Sequence, residues 1–149
     1  MTIFVDADSC PRPARELVVR TAKRRPLKAV FAANRPIPLE TGPEIAMELC
    51  PPGEGSADNR IVELAQAGDL VITRDVPLAS RLVEKSIPVI DDRGRAFTRD
   101  NIRQCLSLRD FTVGLAEYGL GTERTASYGR KELKSFADSL DRELRRLLG

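Results

Sequence analysis

Short apolar runs that end in aspartate alternate along this chain with segments whose apolar residues recur at helical spacing, and few folds accommodate that alternation. Residues 2–5 form a strand-length run closed by Asp6. Residues 70–73 form another, followed by Arg74 and Asp75, and residues 87–90 a third, followed by Asp91 and Asp92. A further run covers residues 27–32. Between them, residues 11–25 bring Ala14, Leu17, Val18 and Ala22 to one helical face, with Pro11 and Pro13 tolerable only in a first turn. Residues 58–66, with Ile61, Leu64 and Ala65 inward, and residues 77–85 also read as helices. Short buried strands separated by amphipathic helices predict an α/β fold, a mainly parallel central sheet with helices on both faces. At 149 residues the chain has length for one domain, residues 1–149, and too little for two ordinary ones.

The remaining segments are less regular. Five of the ten prolines fall within residues 35–56, together with Gly42, Gly53 and Gly55, and only residues 45–49 look like a short strand there. Loops this long either line a site or decorate the surface. Arg93-Gly94 predicts a turn and Thr98 an N-cap for a helix over residues 99–105. Ser107-Leu-Arg-Asp110 resembles a capping box that would open a second helix reaching about residue 118. After a glycine-bearing stretch, residues 119–129, the stripe Leu133, Phe136, Leu140, Leu144 and Leu147 predicts a C-terminal helix packed on the core.

The chain has no histidine. That excludes Ser-His-Asp and Cys-His machinery, histidine-bound zinc and imidazole acid–base work. Cys10, Cys50 and Cys105 are widely spaced and form no CxxC pair, which suits a reducing, cytoplasmic setting. Cys10 beside a helix start has the position of an activated thiol, but without a histidine partner ordinary packing is its expected role. No apolar run approaches the roughly 20 residues of a membrane span, and no signal-peptide pattern opens the chain. No membrane partner is expected, and oligomeric state is not legible.

The aspartates carry the functional expectation. In an open parallel sheet the carboxyl ends of the strands share one edge, where ligands bind. Asp6 and Asp8 follow the first strand, Asp75 follows a later one, and Asp58 opens a helix after a loop. Singly, each is a common turn or cap residue. Gathered together they repel: two unit charges about 4 Å apart cost roughly 4 kcal/mol at an effective dielectric near 20. Protonation or a cation must relieve such a cluster. Carboxylates and water without imidazole or paired thiolates suit Mg²⁺ or Mn²⁺, whose natural chemistry is phosphoryl transfer. Asp6, Asp8, Asp58 and Asp75 are therefore the candidate catalytic and metal-holding residues. Ser9, Thr73 and Arg74 are the candidate phosphate contacts beside them, with Arg12 and Arg93 as basic contacts further out. A helix starting soon after Asp8 would turn its positive end toward a phosphate.

A formal charge of +2 conceals an uneven distribution. Residues 12–35 hold eight basic side chains (Arg12, Arg15, Arg20, Lys23, Arg24, Arg25, Lys28 and Arg35) against Glu16 alone, and residues 93–149 hold twelve against eight acidic. Two basic regions flanking an acidic centre suit a nucleic-acid backbone held over metal ions, although charged helix faces are also the norm on any soluble surface. Five Phe, two Tyr and no Trp argue against extensive base stacking.

Ile3-Phe-Val-Asp-Ala-Asp-Ser-Cys-Pro11, Ala57-Asp-Asn-Arg-Ile-Val62 and Gly68-Asp-Leu-Val-Ile-Thr-Arg-Asp-Val-Pro-Leu-Ala79 resemble the bacterial YaiI/YqxD family. Arg93-Gly94, Asn101-Ile102, Leu108-Arg-Asp-Phe111 and Phe136 continue the likeness over nearly the whole chain. That family is similar to PIN-like domains, many of which are metal-dependent ribonucleases. The resemblance implies acidic roles for Asp6, Asp58 and Asp75, with Asp8 as an addition, and RNA as substrate. Departures from the family pattern are Gly55, with Glu54 beside it, where an acidic residue is frequent, Asp91-Asp92 in place of Asn-Pro, and Gly121-Thr-Glu-Arg124 and Glu132-Leu133 near the last helix. Two other readings stay open. Val5-Asp-Ala-Asp8 resembles the signature of haloacid-dehalogenase-type phosphatases, with Asp6 as nucleophile, Asp8 as general acid and Asp91-Asp92 as a later acidic pair, though no convincing lysine motif accompanies it. A PIN-like fold can also serve as a non-catalytic RNA- or protein-binding module.

Overall fold

The computed structural model describes residues 1–117 and 127–149, residues 112–117 by their backbone alone. Its centre is a six-stranded sheet. In chain order the strands are β1 (Thr2–Asp6), β2 (Lys28–Ala33), β3 (Ile45–Leu49), β4 (Leu70–Ile72), β5 (Val89–Ile90) and β6 (Ala96–Phe97). The helices are α1 (Arg12–Arg24), α2 (Ser56–Leu64), α3 (Val76–Glu84), α4 (Ile102–Glu117) and α5 (Arg130–Leu148). Across the sheet the order is β3-β2-β1-β4-β5-β6, parallel except for the β5–β6 pair. The chain winds outward from β1 through β2 to β3, then returns to the other side of β1 as β4. The junction of β1 and β4 is therefore the switch point of the sheet.

Both faces are covered, which explains why the strands read as continuous apolar runs. In β1, Ile3 and Val5 pack toward α1 and α5, while Phe4 packs toward α2, α3 and α4. The expected α/β architecture with helices on both faces is thus present. Of the C-terminal stripe, Phe136, Leu140 and Leu144 are buried and Leu133 and Leu147 pack at its margins. Each such full burial contributes about 1.5–3 kcal/mol against exposure. Among the described residues no helix is long and apolar enough to cross a membrane.

The structure departs from the sequence expectation between residues 95 and 117. The expected break at Ser107 does not occur: α4 runs through it, because no glycine or proline interrupts residues 102–111 and Ser107 sits on the exposed helix surface. The N-terminal cap lies where Thr98 suggested, as a reciprocal pair in which Thr98 N–H donates to Asn101 Oδ1 (2.9 Å) and Asn101 N–H donates to Thr98 Oγ1 (3.2 Å). Strand β6 was not anticipated, since two residues cannot display a period-two pattern. The expected helix end near 118 and most of the glycine-bearing stretch, including Gly121 to Arg124, lie outside the described residues.

The β5–β6 hairpin docks on α5 through its turn. Asp91 Oδ1 accepts the N–H groups of Arg93 and Arg95, leaving Gly94 at φ +90°. A Cβ at Gly94 would lie 2.5 Å from the Ser135 carbonyl oxygen of α5, whereas Gly68, at φ +94°, faces open space. Gly68→Ala should cost only the left-handed backbone penalty, about 1–2 kcal/mol. Gly94→Ala should cost more, about 3 kcal/mol, because the hairpin must also lift from α5. Urea-unfolding midpoints of the two variants check the order, and equal losses would refute the close approach.

Candidate functional site

A cleft of about 630 Å³ opens at the carboxyl edge of the sheet over the β1–β4 junction, the place where open α/β sheets bind ligands. Asp6, Asp8, Asp58 and Asp75 all line it. They arrive from three directions, so the fold rather than local sequence brings them together. Asp6 is the last residue of β1 and Asp8 follows in the loop. Asp75 is the N-cap of α3, three residues past the end of β4, and its Oδ1 accepts the Leu78 N–H at 2.9 Å. Asp58 lies in the first turn of α2, where its charge complements the helix dipole. That helix starts from Gly55 at φ +79° without a side-chain cap.

Asp6 is buried and held from behind. Its Oδ2 accepts a 2.8 Å hydrogen bond from Thr73 Oγ1, while Ser9 Oγ makes a longer approach at 3.4 Å. Thr73 Oγ1 in turn accepts the Asp75 N–H at 3.0 Å. This one hydroxyl therefore couples the carboxylate of β1 to the backbone that presents Asp75. Thr73 is 2% exposed. It sits behind the cleft with its hydroxyl committed, so its place is that of a positioning group rather than of a phosphate contact.

The carboxylates perturb one another. Burial raises the Asp6 pKa above the ordinary value; the Thr73 hydrogen bond offsets part of that, and the negative charges of Asp75 and Asp8 add to it. Asp58 is pushed up to about 6, first by burial, then by the charges of Asp75 and Asp6, with Arg81 opposing and a hydrogen-bonding approach of the Asp75 carboxyl adding. Asp8 belongs to the rim. It is exposed, its Oδ2 accepts the Asn34 N–H at 2.8 Å, and Arg35 Nε lies 3.8 Å from its Oδ1. Among the described residues no three His, Cys, Asp or Glu side chains stand close enough together to form a ready-made metal cage.

The other expected residues divide between the cleft and its surroundings. Ser9 and Arg74 line the cleft. Arg74 Nη2 donates to Oδ2 of the buried Asp92 at 2.5 Å, so its charge both neutralises that carboxylate and stands at the cleft edge. Arg12 lies outside the cleft on the first turn of α1, in an adjoining groove. Arg93 is remote, in the hairpin turn beside α5 and 5.9 Å from the Tyr128 ring centroid. Asp91 is consumed by the hairpin turn and Asp92 by Arg74, and neither lines the cleft. The later acidic pair of a phosphatase is therefore not supplied to Asp6 by these residues. Cys10 is buried, its thiol raised to about 12 chiefly by that burial, which makes it inert.

Sequence reasoning missed three lining residues: Asn34, Glu54 and Arg109. Asn34 is a tie between loops. Besides its N–H bond to Asp8, its Nδ2 donates to the Gly53 carbonyl at 2.9 Å and its Oδ1 accepts from Ser56 Oγ at 3.0 Å. It thereby joins the end of β2 to the start of α2. Nothing in a lone Asn after a strand signals this. Glu54 had a signal, as the acidic neighbour of Gly55. Arg109 projects from α4, a helix distant in sequence from every other lining segment.

The raised carboxylates imply a pH signature in the metal-free protein. An aspartate whose folded pKa exceeds its unfolded one costs stability above the folded value, and the cost disappears as pH falls below the unfolded value. For Asp58 the window runs from about 6 down to the ordinary 3.8. Asp58→Asn should therefore raise Tm relative to the parent at pH 7.5, and the difference should shrink through that window. Thermal unfolding in chelator at several pH values measures it; a pH-independent difference would show that Asp58 is not crowded.

Residues 4–146 match the family described as "Uncharacterized BCR, YaiI/YqxD family". Among curated relatives, a UPF0178 protein of Treponema pallidum (strain Nichols) is 49% identical over 148 residues, covering 99% of this chain and 84% of the relative. The UPF0178 protein of Treponema denticola is 46% identical, covering 99% and 94%, and that of Marinobacter nauticus 44% identical, covering 98% and 97%. No solved structure matches significantly. On the match over nearly its full length and the identity of these relatives, the chain belongs to the YaiI/YqxD family.

Proposed function

We propose that this protein is a PIN-like, divalent-metal-dependent nuclease that cleaves RNA phosphodiesters at the aspartate cleft. The observation that carries the reading is the crowding of Asp6, Asp58 and Asp75. Three carboxylates from separate elements line one cleft over the sheet's switch point, and two of them are displaced upward by burial and by the charge of their neighbours. A protein gains nothing in stability from that arrangement, so its use lies in what it binds.

The donor set suits Mg²⁺ or Mn²⁺. It consists of carboxylate oxygens, and such ions bind through one or two carboxylates while keeping several waters. Of the carboxylates lining the cleft, Asp6 and Asp75 would hold the ion, water would fill the rest of its coordination, and Asp8 stands at the rim. When bound, the ion would supply charge stabilisation on phosphoryl oxygens and acidify a coordinated water.

The remaining work falls to the protein. Thr73 fixes the Asp6 carboxylate so that no rotamer freedom is lost on binding. Asp58, beside Asp75 and Asp6, is the carboxylate placed to take a proton from an attacking water. Ser9 and Arg74 stand where a phosphate would rest, and Arg109 adds a cation from α4. The carboxyl group of Asp75 stays oriented because one of its oxygens caps α3.

The direct test is incubation of the metal-reconstituted protein with mixed RNA and DNA oligonucleotides. Asn accepts hydrogen bonds and caps helices well, so Asp6→Asn and Asp75→Asn preserve the local fold. RNA should be cleaved in Mn²⁺ and spared in chelator, with both variants slower by about a hundredfold or more. Equal rates for parent and variants would remove the catalytic claim. RNA binding indifferent to metal and to these aspartates would instead establish a binding module.

A further inference from the structure

Beside the cleft, and outside the residues proposed for catalysis, a second groove of about 360 Å³ runs between α1 and the loop after β2. Arg12, Arg15, Arg20 and Lys23 line it from α1, over a floor that includes Val19 and Leu39. At about 1.5 Å per residue the row from Arg12 to Lys23 extends roughly 16 Å along the helix. The groove is not electrically balanced. Glu16 pairs with Arg12 (3.5 Å) and Glu40 with Lys23 (2.9 Å), while Arg15 donates to the Cys10 carbonyl (3.0 Å) and Arg20 has no ion-pair partner among the described residues.

Along the chain, both walls run on from residues of the cleft rim. Ser9, which approaches Asp6, lies three residues before Arg12. Arg35, which pairs with rim residue Asp8, begins the loop that reaches Leu39. A polymer lying in the cleft is thus offered a cation-lined track along α1.

We infer that this groove holds the single-stranded RNA flanking the scissile phosphate, its phosphates on the α1 cation row and its bases against Val19 and Leu39. The inference rests on the nuclease reading of the cleft, and it adds the path of the substrate. An acidic protein segment would also satisfy the cations, but continuity with an aspartate-lined cleft favours a chain of phosphates. Such a track predicts affinity that grows with strand length and falls with salt.

The test uses the full chain carrying Asp6→Asn, so that binding is measured without cleavage. Fluorescence anisotropy compares labelled single-stranded RNAs of about three and about ten nucleotides across a KCl series. Arg20→Ala with Lys23→Ala should weaken the longer RNA about tenfold, lower its log–log salt slope by about one to two, and leave the shorter unchanged. Arg103→Ala with Lys131→Ala, two exposed cations elsewhere, should leave both unchanged. Equal binding of the longer RNA by the groove variant and its parent overturns the inference. So does a Glu-rich peptide that competes as well as the RNA and is lost on the same substitutions. Cleavage by the unsubstituted chain reads the cleft separately: length-dependent binding without hydrolysis would defeat the nuclease reading and leave the groove standing.

Discussion

Burying one carboxylate beside two others costs free energy, and the architecture around the sheet's switch point is organised to bear that cost. Asp6 is buried yet retains a strong hydrogen bond from Thr73. Asp75 is partly compensated by the N-terminus of α3, and Asp58 by the first turn of α2. None of these devices cancels the mutual repulsion, because the pKa values of Asp6 and Asp58 remain raised. The fold therefore spends local stability to keep negative charge gathered at the cleft. The apolar layers on the two faces of the sheet supply the surplus.

Precision in the cleft comes from few bonds. Thr73 links β1 to the turn after β4 with one hydroxyl acting as donor and acceptor. Asn34 does the same for the loops, using its N–H, its amide nitrogen and its amide oxygen to join Asp8, Gly53 and Ser56. Each residue has its hydrogen-bonding groups spent on protein partners. A group in that state orients its neighbours and makes a poor ligand contact, which is why Thr73, attractive by position beside Arg74 and Asp75, lies behind the site.

Much of this was legible from residue spacing. The strands were recognisable because burial on both faces makes them continuous apolar runs, and the α5 stripe because one helical face alone is buried. The convergence of Asp6 and Asp75 followed from the rule that parallel strands finish on one edge, and Asp58 joins them from the start of α2. What escaped notice depends on tertiary partners. Strand β6 exists because two residues pair with β5, and Asn34 matters because three segments happen to meet there. The role of Asp91 and Asp92, which only the phosphatase reading would use as an acidic pair, stayed open, since a strand-ending aspartate reads the same whether it faces a ligand or a turn. The difference lies in Arg74 and in the N–H groups of Arg93 and Arg95, which only the folded chain brings to them.

A cleft rich in aspartate poses a difficulty for a polyanionic substrate, and the charge layout of the molecule answers it. At physiological ionic strength exposed charges act over about 8 Å. The carboxylates therefore repel a phosphate strand only near the cleft itself. The α1 row extends roughly twice that distance, far enough for its outer cations to attract a strand beyond the reach of the aspartates. On the proposed reading, α1 would hold the RNA strand, and an ion held by the cleft carboxylates would offset their charge at the reacting phosphate. Metal dependence and the basic groove are then two solutions to the same electrostatic problem, one at the reacting phosphate and one along the strand that carries it.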